Sequence, residues 1–410
     1  MILTTAAALL LGASPISASA SPEPVASMPR QDSISAPTSG TASAKTGKSP
    51  YAAATGLSKP PVVYVIPMDG QMGTDIHPAI YERILADIKN VKPDLVVFRL
   101  HSDDGRFSIG YMDFMEQQMR SDKVDPRLIA SQITEYRDLA QKLHAELDQY
   151  PTVMYVEDAR GMSSMLAMAW PYMFMAPKGW VQGLDIVGSL GGGNDADIRA
   201  KMFAAWTGIA KGVVELGGHP QELSEALVRP DRLLSVDVDG RVARWRNDTD
   251  GSWYLVDDSD KRAAVFTAKT AEDTGLTDGL ATDVNDLMLL LGYPEFKVVD
   301  SGEKMFEDYK TAWRKRFEET EKWMDEFQEP VRDPKELGQR KQILEKMKQA
   351  FKQYPPLARL WEWKAGLTMS QLDLLIENIT EKIRQAQKAK QGSGSGSGSG
   401  KNGKGFGTIR

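Results

Sequence analysis

The chain has 410 residues, no cysteine, four histidines and a formal net charge of −6. These counts exclude disulfides, thiolate nucleophiles, Cys-ligated zinc and iron–sulfur clusters, and they give no global footprint for nucleic acid. The histidines (His77, His101, His144, His219) are scattered, with none at the i, i+4 spacing of a helical zinc site, so no metal and no cofactor is expected.

In chain order, Ile2 to Ala13 (ILTTAAALLLGA) is apolar but too short to span a bilayer, and Ala18 and Ala20 occupy the small-residue positions of a cleavage site. Residues 1–20 are therefore expected to be a secretory signal, although no Lys or Arg precedes the apolar stretch, and the product is expected to be exported to the periplasm or cell envelope. Residues 21–59 are rich in Ser, Ala, Pro and Thr and are expected to form a disordered linker, having too little apolar surface to offset ordering entropy.

At Pro61 the texture changes. Val62 to Met68 (VVYVIPM), Asp94 to Leu100 (DLVVFRL) and Thr152 to Asp158 (TVMYVED) are continuous apolar runs, as in strands buried on both faces. Helical spacing over Ile76 to Ile88 and over 126–147 separates them, which predicts an α/β core with parallel strands. Residues 160–220 hold a Met-rich stretch (Met154, Met162, Met165, Met168, Met173 and Met175 with its flank), the turn GSLGGGN and another helix. The methionines read as core filler, with an adaptable peptide groove as the alternative. Gly191 to Asn194 lacks the Gly-Lys-Ser/Thr of a phosphate loop. Residues 233–266 alternate as β structure, and Thr267 to Tyr293 reads as helix, strand, helix.

A core over 60–295 is then followed by a helical appendage over 300–390 and a flexible Gly/Ser tail over 391–410. In the appendage, Phe306, Tyr309, Trp313, Phe317, Met324 and Phe327 form a stripe, Pro330 and Pro334 end the first helix, Pro355 and Pro356 end the second, and Ser370 caps a third. Trp361 and Trp363 suit core packing, an interface or a membrane-surface contact.

Four segments in order resemble the ClpP/crotonase superfamily, above all signal peptide peptidase A and the NfeD-type peptidases. They are VVYVIPMDGQM with Gly70 directly after the strand, VVFRLHSDDG, YPTVMYVEDARGMSSMLAMAWPYMFMAPKGWVQG, and FTAKTAEDTGLTDGLATDVNDLMLLLGY. The resemblance covers roughly residues 61–292. It implies a ClpP/crotonase-like parallel-sheet (ββα-repeat) core with a C-terminal α-helical appendage.

In that resemblance the nucleophile falls on Ser163, with Ser164 one residue away; on the residues alone, both also suit a helix cap. A serine hydroxyl needs a base, and the family's lysine helix is similar to KMFAAWTGIAKGVVELGGHPQE, which places the base at Lys201, 38 residues after Ser163. Lys211 is a second candidate. Oxyanion and substrate contacts are implied for Gly105, Ser164, Asp104 and Gly70. Where the family has Pro-Gly-Gly, this chain has Asp103, Asp104 and Gly105, and a carboxylate beside a forming oxyanion is unfavourable.

The resemblance thus implies an exported serine peptidase with a Ser-Lys dyad. It would cleave membrane-associated or signal-peptide-like peptides, assemble as a homo-oligomer and associate peripherally with membrane. The alternative is a catalytically inactive ClpP-like scaffold at the cell envelope. Crotonase-type acyl-CoA chemistry is a third reading, which the export signal opposes.

Overall fold

The continuous apolar runs become the middle of a parallel sheet. The computed structural model describes residues 47–103, 126–183, 196–229, 232–239, 242–256, 263–329 and 335–394. The expected signal at 1–20, the turn at 191–194 and the tail from 395 onward lie outside the described residues. Strands β1 (Val62–Asp69), β2 (Leu95–Asp103) and β3 (Thr152–Arg160) pair in parallel, with Ile66 opposite Phe98 and Phe98 opposite Met154. They are flanked by β4 (Met173–Met175), β5 (Trp180–Gln182), β9 (Val265–Thr267), β10 (Gly279–Leu280) and β11 (Lys297–Val299). The main path runs β10-β4-β3-β2-β1-β11, while β5 joins β3 and pairs antiparallel with β9. A separate antiparallel sheet, β7-β6-β8, comprises β6 (Leu234–Asp239), β7 (Val242–Arg246) and β8 (Trp253–Val256).

Because side chains alternate along a strand, both faces of the central sheet must be covered. One face carries Tyr64, Ile66, Met68, Val96, Phe98, Leu100, Met154 and Val156 into the larger core. It is covered by α2 (Pro78–Val91), α3 (Pro126–Leu147), α4 (Ser163–Ala167), α5 (Ala196–Leu216), α6 (Gln221–Val228) and α9 (Ser301–Gln328). The opposite face carries Val63, Leu95, Val97, Val153 and Tyr155 against α8 (Val284–Leu290) and the short helix α1 (Ala52–Thr55). Helix α7 (Ala268–Asp273) follows β9 and is capped by the Thr267 hydroxyl. All six methionines singled out above are buried, as core filler should be.

Local chemistry fixes the helix ends. His77 caps α2 by accepting from the Ala79 N–H at 3.1 Å, and Pro78 opens the first turn with its φ preset. The expected linker is structured in its last part. Tyr51 meets Tyr172 edge-on, the Ala52 N–H donates to Leu291 O at 2.9 Å, and Lys48 donates to Gln149 O at 2.6 Å. One aromatic ring and a small alanine suffice to lay this end of a polar segment on the second core.

Of the C-terminal helices, α9 packs on the sheet, against β1. Gly302 approaches Tyr64 so closely that a Cβ there would stand 2.7 Å from the ring, and Phe306, Tyr309 and Trp313 follow on the inward stripe. Beyond α9 lie α10 (Glu336–Gln353), α11 (Pro355–Ala365) and α12 (Met369–Gly394). As expected, α10 ends just before Pro355 and Pro356, with Tyr354 in a non-helical conformation. The same pair then starts a further helix, α11, where a missing N–H costs nothing. Thr368, rather than Ser370, caps α12: its hydroxyl accepts from the Gln371 N–H at 3.2 Å and Gln371 Oε1 accepts from the Thr368 N–H at 2.8 Å, a reciprocal capping box. Trp361 is buried and donates to Thr320 at 2.8 Å, so it serves the core.

Candidate active site

The carboxyl ends of β1, β2 and β3 lie side by side, and two polar arrangements occupy them. The first is the turn from β3 into α4. Gly161 adopts φ +74°, which favours glycine, and its N–H donates to Gln182 O at 2.9 Å, holding the turn against β5. The chain then enters the five-residue α4, every residue of which is buried.

Ser163 is fully buried at its start, and its Oγ lies 3.0 Å from both Arg160 O and Ser102 O. One hydroxyl proton is therefore shared between two acceptors, one on its own turn and one on the neighbouring strand. Ser164 Oγ donates to Gly161 O at 2.7 Å, and its N–H points at the same oxygen from 3.3 Å. Both serines thus donate their hydroxyls to backbone carbonyls, and a nucleophile has to rotate out of these bonds. Neither caps α4, because the N-cap position is Met162 and no side chain there accepts a first-turn N–H. The Ser102 hydroxyl, also buried, has no hydrogen-bond partner among the described residues.

Lys201 stands on α5, exposed, nine positions before the buried Ala210. Nine residues make two and a half helical turns, so the two side chains leave opposite sides of α5. The hydrogen bonds of Ser163 go to the two carbonyls and not to Lys201. Lys211 is committed to Glu225 at 2.5 Å. Asp104 and Gly105 lie outside the described residues.

Gly70 is placed at the end of β1 with φ +109°, its N–H donating to His101 O at 2.9 Å. A Cβ there would lie 2.3 Å from Asp75 Oδ2. Closure of the loop therefore accounts for glycine at this position without any substrate.

That loop belongs to the second arrangement, which is charged. His101 Nδ1 and Asp69 Oδ1 are 2.8 Å apart, aligned because Asp69 and His101 face each other across the β1–β2 ladder. Lys310 of α9 donates to Asp69 Oδ2 at 2.5 Å. One turn on, Arg314 forks onto the fully buried Asp75, at 2.8 and 3.2 Å, and Asp75 also accepts from the Gln71 N–H at 3.0 Å. Arg99, beside β1 in the ladder, reaches Glu303 at 2.8 Å.

The two carboxyls are pushed apart. Burial alone would raise Asp69, but hydrogen bonds from His101 and Lys310 outweigh it and bring the carboxyl to about 2. For Asp75 burial wins over the Arg314 fork, and its carboxyl is raised. The Asp69 hydrogen bond raises His101 against the opposing effect of burial.

This charged arrangement escaped sequence reasoning, which saw four scattered histidines. The available signal was that VVYVIPMD and LVVFRLH end in Asp69 and His101, which parallel pairing aligns. Lys310 and Arg314 carried none, since they sit in a helix crowded with both charges. Among the described residues no group of three or more His, Asp or Glu is arranged to hold a metal ion, and no helix is long and apolar enough to cross a membrane. A cavity of about 550 Å³ opens between α9 and α10, lined by Glu326, Glu336, Arg340, Ile343 and Lys346 among others. It contains none of the strand-end residues.

No protein-family model and no curated protein matches the sequence. Among solved structures, the chain is similar to a mutant of 1510-N, a membrane-bound stomatin-specific protease, at 15% identity and a TM-score of 0.37 over 60% of this chain and 91% of that one. A second 1510-N mutant, in complex with a substrate peptide, aligns at 13% identity and TM-score 0.36 over 59% and 92%. A peptidase from Plasmodium falciparum aligns at 11% identity and TM-score 0.31 over 53% and 96%. Likeness this distant assigns neither residues nor reaction to this chain.

Proposed function

We propose that the chain is a ClpP/crotonase-like serine peptidase whose nucleophile is Ser163. The supporting observation is the placement of Ser163: a tight glycine turn carries the chain from the central strand β3 into α4 and sets the hydroxyl against the end of β2. In this reading the Ser163 Oγ leaves its two carbonyls and attacks a peptide carbonyl carbon. Lys201 takes the hydroxyl proton and passes it to the departing amine, and water then cleaves the acyl-enzyme. Lys201 has to move from the exposed side of α5 to do so. The substrates in this proposal are membrane-associated or signal-peptide-like peptides, handled by an exported homo-oligomer with peripheral membrane contact.

A second reading, a catalytically inactive scaffold of the same fold, is favoured by one pair of facts. Ser163 is buried and already bonded, and Lys201 points outward. Labelling by a fluorophosphonate probe separates the two. The peptidase reading expects labelling of the wild type that disappears in Ser163→Ala and falls at least tenfold in Lys201→Ala. Labelling that survives Ser163→Ala and disappears in Ser164→Ala moves the nucleophile by one residue. A folded wild type that neither labels nor cleaves a casein substrate is the scaffold.

A further inference from the structure

Ser102 is the penultimate residue of the central strand β2, its side chain fully buried, yet its Oγ has no partner among the described residues. A serine hydroxyl turns freely about its Cβ–Oγ bond and finds an acceptor wherever one is in reach. Leaving it unpaired in the interior costs about 1–3 kcal/mol. Alanine would avoid that cost, and alanine is what stands opposite in the ladder, at Ala159 of β3. The other unpaired buried groups among the described residues, Arg232 Nε, Tyr309 Oη and Trp313 Nε1, belong to residues that are not among the partners of the α4 serines. Ser102 differs because its own carbonyl accepts the Ser163 hydroxyl at 3.0 Å. The unpaired donor therefore sits on the residue that anchors the proposed nucleophile.

We infer that Ser102 is a further catalytic residue of this site, its hydroxyl donating a hydrogen bond to the carbonyl oxygen of the peptide bond held at Ser163. The inference rests on the Ser163 peptidase reading and names a donor within it. As Ser163 turns away from the Ser102 carbonyl, the substrate carbonyl enters the space beside both hydroxyls. The bond from Ser163 Oγ to the carbonyl carbon forms, the carbonyl π pair moves onto its oxygen, and the Ser163 proton goes to the base. Ser102 keeps its own proton throughout. Its hydrogen bond strengthens as the oxygen gains charge, since a bond to an oxyanion is roughly twice as strong as one to a neutral carbonyl. The donor is stationary and dry, so little reorganisation accompanies the step.

The test compares wild type, Ser102→Ala, Ser102→Thr and Ser163→Ala by peptide hydrolysis and by thermal unfolding. Removing one such donor lowers kcat on the order of 10²-fold in comparable sites. The expected result is that fall in Ser102→Ala with little change in KM, an unfolding midpoint at or above that of the wild type, and partial recovery of kcat in Ser102→Thr. A purely structural serine would instead lower the midpoint and the rate together, and that pattern overturns the inference. So does wild-type kcat in Ser102→Ala. If the threonine methyl lowers the midpoint, the alanine variant alone decides. Activity in the wild type that is lost in Ser163→Ala but untouched in Ser102→Ala overturns only the Ser102 role. A folded wild type with no activity overturns the peptidase reading and this inference with it.

Discussion

The turn at α4 and the loop after β1 sit at the carboxyl ends of β3 and β1, the two strands that flank β2, and they are built from opposite materials. The turn holds its shape with hydroxyls donated to carbonyls, by Ser163 to Arg160 and Ser102 and by Ser164 to Gly161. The loop holds its shape with charges, Asp75 on Arg314 and Asp69 between His101 and Lys310. A neutral hydrogen bond contributes a net ~1 kcal/mol, and a hydroxyl can exchange one acceptor for another at small cost. A buried carboxylate has no such freedom, since losing its cation leaves a charge in a poor solvent. The contrast makes the loop the fixed wall and the serine turn the adjustable part.

The comparison breaks most directly at Arg314. Replacing it by Ala leaves Asp75, which has no solvent exposure, without its cation. The expected loss of stability is about 3–5 kcal/mol at pH 7, measured by urea unfolding. The loss should shrink as pH falls, because burial already raises the Asp75 carboxyl and a protonated Asp75 needs no partner. A pH-independent loss below about 1 kcal/mol would put the loop in the same adjustable class as the turn.

The loop also shows what could be read in advance. The three central strands announce themselves because burial on both faces demands unbroken apolar runs, and α2, α3 and α9 because one apolar stripe repeats at helical spacing. The Ser163 turn is visible as a strand ending in a Gly before two serines. The partners of Asp75 are not visible, because Arg314 lies 239 residues away along the chain and helix α9 carries many other cations. Long-range ion pairs leave no local pattern. Nor does the outward aim of Lys201, which depends on how α5 is rotated about its axis and not on the apolar residues that follow it. The Pro355-Pro356 pair is read correctly as the end of α10, and only its second role, starting α11, goes unread, because the same residue type stops one helix and opens the next.

A middle-sized effect comes from His77, which closes the loop by capping α2. Burial, with a further contribution from Arg359, lowers its pKa from 6.5 to about 4. The unfolded chain therefore binds a proton more readily than the folded one between those values. Stability should fall as pH drops from about 6.5 to about 4, by on the order of 2–3 kcal/mol, and this group should contribute no further loss below that. His101 acts with the opposite sign. Its hydrogen bond to Asp69 raises its pKa, so its contribution is complete below about 6.5 and is lost as pH rises through the raised folded value. His77→Asn keeps a capping side chain without a titrating ring. It should flatten the acid limb and leave the alkaline limb, as followed by urea unfolding at stepped pH. An acid limb unchanged in His77→Asn would show that the loop does not carry it.

The smallest effect sharpens the other half of the comparison. Gly161 O receives both the hydroxyl and the N–H of Ser164, at 2.7 and 3.3 Å. Removing the hydroxyl in Ser164→Ala leaves that carbonyl its N–H donor, so the expected loss is about 0.5 kcal/mol, at the low end for a hydrogen bond. Ser163→Ala removes a hydroxyl that bonds the carbonyls of both Arg160 on β3 and Ser102 on β2, and its expected loss is about 1 kcal/mol. Both values are small beside that of Arg314, as an adjustable turn requires. The order matters more than the size. If Ser164→Ala costs more than Ser163→Ala in thermal unfolding, the turn is anchored within itself and not to β2, and Ser163 is the freer hydroxyl of the two. That result would bring Ser163 closer to a nucleophile in its resting state and would remove the need for it to break a bond to Ser102 before attack.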